Sequence, residues 1–214
     1  ILAGAAWMKS QCLSLNYRKN PAAIGAALLY LHSNRGRNVH STFLFASDLE
    51  SLGKWYRQLL GESIGKEFDT AGKRVNVGIT PEVSVGSTDL HSIGQLCLGG
   101  PDDKSINFVT VHFNNSMKVP SYPQYNALVE DLQKRELSHI MKAIVQGVKS
   151  AYRKAKRPFT ETRLEAKDAH SIGEFIQLKM IETMLLGKLF KVDPFDQPNV
   201  ESYKVETRKL LSRS

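Results

Sequence analysis

Cysteine is scarce in this chain of 214 residues: Cys12 and Cys97 are the only two. Two thiols are too few for a disulfide framework, and with no export signal in view they point to a reducing, cytoplasmic compartment. Long apolar runs are missing as well. The richest stretch, residues 172–190, is interrupted by Glu174, Lys179, Glu182 and Lys188, which argues against a membrane-spanning helix and leaves no membrane partner expected. The opening Ile1-Leu2-Ala3-Gly4-Ala5-Ala6-Trp7 is apolar but has no basic flank and no initiator methionine. It reads as neither a secretory signal nor a natural start, and a fragment of a longer chain is the expectation. Internal repeats and low-complexity segments are absent too.

What is present is ordinary for a globular protein: 42% hydrophobic and 23% charged residues, enough chain to bury a full core as one domain with extra helices. The net charge of +8 raises the question of nucleic acid. Its densest run, Lys-Ser-Ala-Tyr-Arg-Lys-Ala-Lys-Arg at 149–157, would form a basic patch beside Tyr152. Cations gathered at one helix end also complement the C-terminal dipole, and that solvated-end reading is preferred, so no nucleic-acid partner is expected. Positive potential also raises encounter rates with phosphorylated small substrates.

Asn20-Pro21 is a cap followed by a first helical position, and 22–32 is small and apolar enough to pack closely. Residues 39–46 read as a buried parallel strand, with Ser47-Asp48 capping a helix that carries Leu49, Leu52, Trp55, Tyr56, Leu59 and Leu60 at three- and four-residue spacing. Glu62 falls where that helix runs out, in Gly61-Glu62-Ser63-Ile64-Gly65-Lys66. A second short strand, 80–85, leads through Gly86-Ser87-Thr88-Asp89 into a helix expected to begin near Leu90, placing His91 in its first turn. There it would sit at the positive end of the dipole, where anions are held and histidine can move protons.

A helix over 93–98 stops at Gly99-Gly100-Pro101, and Ile106, Phe108, Val109, Val111 and Phe113 mark a third strand. Residues 114–123 read as a loop. Leu137, Ile140, Met141, Ile144, Val145 and Val148 line one face of a long helix, 159–164 form a further strand, and an apolar helix runs from about Ala169 to Phe190. Alternating strands and helices predict an α/β fold: a parallel sheet covered by helices on both faces, with ligands gathering beyond the carboxyl ends of the strands. The boundaries expected are 1–37 for preceding helices, 38–168 for the α/β domain and 169–214 for additional C-terminal helices. In the last of these, Pro194 and Pro198 make a rigid turn, and a terminal helix beginning at Pro198 would project Gln197 and Lys204.

Three segments together resemble the glucose-6-phosphate isomerase (phosphoglucose isomerase) family. They are Trp55-Tyr56-Arg57-Gln58-Leu59-Leu60-Gly61-Glu62-Ser63-Ile64-Gly65-Lys66, then Thr88-Asp89-Leu90-His91-Ser92-Ile93-Gly94-Gln95, then Val192-Asp193-Pro194-Phe195-Asp196-Gln197-Pro198 through Lys204. The likeness spans roughly 46–211 and implies the family's second sugar-isomerase (SIS-like, three-layer αβα) domain and its C-terminal helices. It implies reversible interconversion of glucose 6-phosphate and fructose 6-phosphate through a cis-enediol, with no metal and no cofactor. By the same resemblance Glu62 is the general base, His91 the ring-opening residue that serves the neighbouring subunit of a homodimer, Lys204 the lysine assisting ring opening, and Gln197 a ligand of the substrate phosphate. A single carboxylate that reaches two neighbouring carbons suits such a proton transfer.

The family's first sugar-isomerase domain supplies a Ser/Thr-rich phosphate loop and an arginine for the enediolate, and neither motif is found here. One lost oxyanion donor costs about 100–1,000-fold in turnover, so a fragment inactive alone, lacking its N-terminal SIS domain as partner, is the expectation. Asn199, where relatives often carry glycine, and Ile64, where they vary, disturb nothing. The competing reading is a phosphosugar-binding module without chemistry, against which the joint presence of Glu62, His91 and Lys204 speaks.

Overall fold

The computed structural model describes residues 1–112, 116–129 and 131–212. Helices α1 (Leu2–Cys12) and α2 (Pro21–Ser33) lead into strand β1 (Val39–Leu44) and helix α3 (Glu50–Ile64). A small antiparallel hairpin of β2 (Lys66–Phe68) and β3 (Arg74–Val77) precedes β4 (Thr80–Val85). Then come α4 (Ile93–Gly99), β5 (Lys104–Val111), the short α5 (Asn126–Val129), α6 (Leu137–Lys154), β6 (Phe159–Leu164), α7 (Ala169–Phe190) and α8 (Pro198–Leu211). Phe113, assigned by alternation to the third strand, and Asn114 and Asn115 of the expected loop lie outside the described residues.

Four strands form a wholly parallel sheet in the order β4-β1-β5-β6, with Val39 opposite both Thr80 and Lys104, and Ile106 opposite Phe159. The chain winds from β1 outward to β4 and then crosses to β5 on the other side. Alternation along β1 sorts its side chains. Leu44 and Ala46 face α2, α3 and α7 through Leu29, Tyr56, Leu60, Phe175 and Leu186. Phe43 and Phe45 face α4 and α6, where they meet Phe108, Cys97, Val145 and Tyr152. The three-layer α/β architecture follows from that alternation, since a sheet apolar on both faces needs a helical cover on each.

Helix α7 is central to its layer, and α1, α2 and α3 all pack on it. The approach of α1 is close enough that a Cβ on Gly173 would lie 2.1 Å from the Ile1 carbonyl oxygen, and one on Gly4 2.0 Å from that of His170. Glycine at both positions lets the two backbones touch. The charges that break the apolar run of α7 are turned inward: Lys179 and Glu182 are each 3% exposed. Their ion pair measures 2.9 Å. The Tyr56 hydroxyl donates to the same Glu182 carboxylate at 2.8 Å, so the interruption at 179–182 is an internal polar knot. Among the described residues no helix is long and apolar enough to cross a membrane.

Local chemistry explains most boundaries. Asn20 caps α2, its Oδ1 accepting from the Ala23 N–H at 2.9 Å while its Nδ2 donates to the Cys12 carbonyl at 2.7 Å. Ser47-Asp48 does not cap α3. The two open a 3-10 turn, Ser47–Leu49, with no side-chain cap, and the Asp48 carboxylate pairs with Lys167 at 2.6 Å. The basic run also differs from a free patch. Lys149 is buried and paired with Glu161 at 2.7 Å, and Arg157 pairs with Asp102 at 3.1 Å and donates to the Leu98 carbonyl at 3.2 Å. These ion pairs tie α6 to β6 and to the end of α4.

Candidate active site

Glu62 sits in the last turn of α3, on the strand-start side of the sheet: a Cβ on Gly61 would lie 3.7 Å from Pro81, the second residue of β4. Helix periodicity places Gln58 one turn earlier on the same face. The Gln58 amide donates to Glu62 Oε1 at 2.9 Å. From 135 residues further along, the Gln197 amide donates to Glu62 Oε2 at 3.3 Å. Both carboxylate oxygens are thus held by side-chain amides, and the carboxylate borders an open cleft of about 680 Å³ lined by Lys54, Trp55, Arg57, Gln58 and Gly61.

The turn that delivers Gln197 has its own anchors. Lys191 takes a left-handed φ of 59° and ends α7. Val192 is buried, and the Asp193 carboxylate accepts from the Phe195 N–H at 2.9 Å. Gln197 is the residue just before α8, whose first turn holds Pro198 as its spacing predicts.

His91 is not in the first turn of a helix. It is the last residue of a 3-10 turn, Thr88–His91, and α4 starts only at Ile93. The cause is Asp89, which caps no helix and instead reaches back to accept from the Val85 N–H at 2.6 Å, binding the turn to the end of β4. His91 is exposed there, beyond the carboxyl end of β4. Glu62 lies at the other end, so the two are separated by the length of that strand, about 16 Å at the usual rise per residue. They do not share a site within one chain.

Lys204 lies in the second turn of α8, where it pairs with Glu201 at 2.7 Å. That carboxylate, as hydrogen-bond partner first and as charge second, raises its pKa. Among the described residues no hydrogen bond or ion pair links Lys204 to Glu62 or Gln197. Helix α8 has no buried residue, and Phe195, Tyr203, Leu210 and Leu211 are exposed on or beside it.

A more enclosed cavity of about 420 Å³ lies between α2, α7 and the β5–β6 side of the sheet, lined by His40, Lys179, Glu182 and Asn107. None of the motif residues reaches it. Among the described residues no group of three or more His, Cys, Asp or Glu is placed to hold a metal ion.

With this geometry in place, the family model described as phosphoglucose isomerase matches residues 1–213. This chain belongs to the phosphoglucose isomerase family. Among curated phosphoglucose isomerases, the glucose-6-phosphate isomerase of Carboxydothermus hydrogenoformans is 35% identical across the whole of this chain and 46% of its own length. That of Rubrobacter xylanophilus is 34% identical, again across the whole chain and 48% of its own length. The chain therefore spans about half the length of the curated relatives it matches. Among solved structures, a hypothetical protein of Thermus thermophilus superposes with a TM-score of 0.90 at 31% identity, over 98% of this chain and 49% of that one. A glucose-6-phosphate isomerase of Chlamydia trachomatis shares the fold, with a TM-score of 0.83 at 17% identity over 99% of this chain and 42% of its own.

Of the four residues singled out by motif, the structure brings Glu62 and Gln197 together and leaves His91 and Lys204 apart from them. Two contributors went unremarked in the sequence. Gln58 could have been found from its four-residue spacing to Glu62. Lys66 ends the same motif, and besides the nearby Glu62 carbonyl it contacts Asp196, 130 positions away, which no local pattern announces.

Proposed function

We propose that this chain is the carboxyl-terminal half of an aldose–ketose isomerase that interconverts glucose 6-phosphate and fructose 6-phosphate in cytoplasmic sugar metabolism. The observation that carries the reading is the clasp of Gln58 and Gln197 on the Glu62 carboxylate. Two neutral amides orient the carboxylate, one on each oxygen, and neither adds a counter-charge of its own. In this scheme Glu62 takes the proton from C2 of the open-chain aldose, and the C–H electron pair forms the C1–C2 double bond while the C1 carbonyl π pair moves to O1. A net proton transfer from O2 to O1 carries the cis-enediol on to the C2 carbonyl as the same carboxyl returns its proton to C1. Gln197, beside the base, exchanges its contact with Glu62 for the substrate phosphate. His91, at the far end of β4, supports a reading in which it serves the site of a second copy in a homodimer. Lys204, on a helix with no buried face, would join the site when α8 docks against the missing half.

The phosphate cradle and the enediolate-stabilising arginine are assigned to that missing half, so the chain alone is expected to be silent. The test is a coupled isomerase assay on this chain alone, then mixed with the amino-terminal half of the Carboxydothermus hydrogenoformans relative, and with Glu62→Gln in parallel. Turnover on mixing that falls by about a thousandfold or more in the variant supports the reading, as loss of the base should. Full turnover by the chain alone, or by the Glu62→Gln mixture, would refute it.

A further inference from the structure

We infer that Lys66 is a positioning residue that sets the distance between Glu62 and Gln197, an inference that rests on the function proposed above. Only Gly65 separates Lys66 from the end of α3, and the lysine side chain is 4% exposed. The ammonium has three protons and meets three oxygens: the Glu62 carbonyl at 3.1 Å, the Asp196 carboxylate at 2.9 Å and the Asp196 carbonyl. The first lies in the last turn of α3, where carbonyls lack helical partners and a cation complements the dipole. The other two belong to the residue immediately before Gln197.

One buried cation is therefore bonded to the backbone of the candidate base and to the backbone next to the candidate phosphate ligand. Among the described residues Asp196 itself has no side-chain hydrogen bond or ion pair other than those to Lys66, and a further tie within the turn is the local one from the Phe195 N–H to the Asp193 carboxylate. Val192 is buried, but from Phe195 onward no described residue is buried. The Gln197 amide reaches Glu62 at 3.3 Å across a gap that Lys66 spans from below. A lysine suits the place because its ammonium is a compact charge with three rotatable donors, whereas the planar arginine fork matches two parallel acceptors.

The first readout needs no activity: hydrogen–deuterium exchange on the 214-residue chain, comparing wild type with Lys66→Met and Asp196→Asn. Lys66→Met is expected to raise exchange about tenfold over 195–203 while leaving β1, β5 and α7 unchanged, since only a local opening is released. Asp196→Asn, whose side chain is 55% exposed, keeps the carbonyl contact and should give a smaller rise in the same segment. It carries the test if Lys66→Met does not fold. The second readout is kinetic, in the reconstituted mixture. Lys66→Met should raise KM for the phosphosugar through Gln197 and lower kcat through Glu62, and Lys66→Arg should recover only part of either.

Exchange over 195–203 unchanged within twofold in the folded variants overturns the inference, as does a rise spread evenly over α3 and α7, which would mark a merely structural lysine. A mixture silent even as wild type would count against the isomerase reading and leave the exchange result to decide the role of Lys66 in holding the turn.

Discussion

Replacing Glu182 by Gln keeps the shape of the side chain and an acceptor for Tyr56 but removes the negative charge opposite Lys179. Both side chains are 4% exposed and 2.9 Å apart, so the room for water beside the lysine is the cavity that both residues line. Glu161, which lines the same cavity, is already paired with Lys149. The Lys179 ammonium otherwise lies 4.7 Å over the Tyr56 ring and 5.9 Å from that of Phe175, and His40 nearby is neutral. Stripping a buried ion of its partner costs about 3–5 kcal/mol. With an unfolding entropy of about 2.1 cal/mol/K per residue, that corresponds to a fall in Tm of about 7–11 °C for a chain of this length. The double variant Lys179→Met/Glu182→Gln, which removes both charges, should recover to within about 2 kcal/mol of wild type. Urea unfolding followed by circular dichroism at neutral pH, with calorimetry for Tm, measures all three chains and Lys179→Met. A loss below about 1 kcal/mol for Glu182→Gln, together with simple additivity in the double variant, would refute the account of 179–182 as a closed buried pair.

Two more perturbations read the same core. Burial first, and the charge of Lys179 second, hold the His40 imidazole neutral, with its pKa lowered to about 3, against about 6.5 when unfolded. The unfolded chain therefore binds the extra proton between these values, and the stabilising contribution is complete above pH 6.5 and declines as pH falls toward 3. By linkage this one group should account for about 2 kcal/mol lost between pH 6.5 and 5. Urea titrations at both pH values on wild type and His40→Gln test it, and an identical pH dependence in the two chains would contradict it. Asn20→Ala removes the cap of α2 and the tie to the Cys12 carbonyl, for an expected loss of about 1–2 kcal/mol. A change within a few tenths in the same titration would show the cap to be idle.

Much of the architecture was legible before any coordinates. Short apolar strands alternating with amphipathic helices can bury both faces of a sheet in few ways, and the parallel three-layer arrangement is the one observed. Helix α2, the terminal helix starting at Pro198 and the long apolar α7 lie close to where capping and periodicity put them, because those signals act within one or two turns of chain. The expectations that failed were equally local. Ser47-Asp48 and Thr88-Asp89 carry good capping chemistry, yet each aspartate bonds elsewhere, to Lys167 in one case and to the Val85 N–H in the other. A propensity is only an offer that tertiary neighbours can outbid.

The candidate site divides along the same line. The resemblance to the family's motifs singled out Glu62, His91, Gln197 and Lys204, since residue type and order survive in a linear chain. Only the folded chain decided that Gln197 closes on Glu62 and that Lys66 joins the two segments. It also decided that the charges at 179 and 182 turn into the protein, and that His91 stands at the opposite end of β4. Each of these depends on contacts between residues far apart in sequence or on the direction in which an element runs, and sequence spacing carries neither.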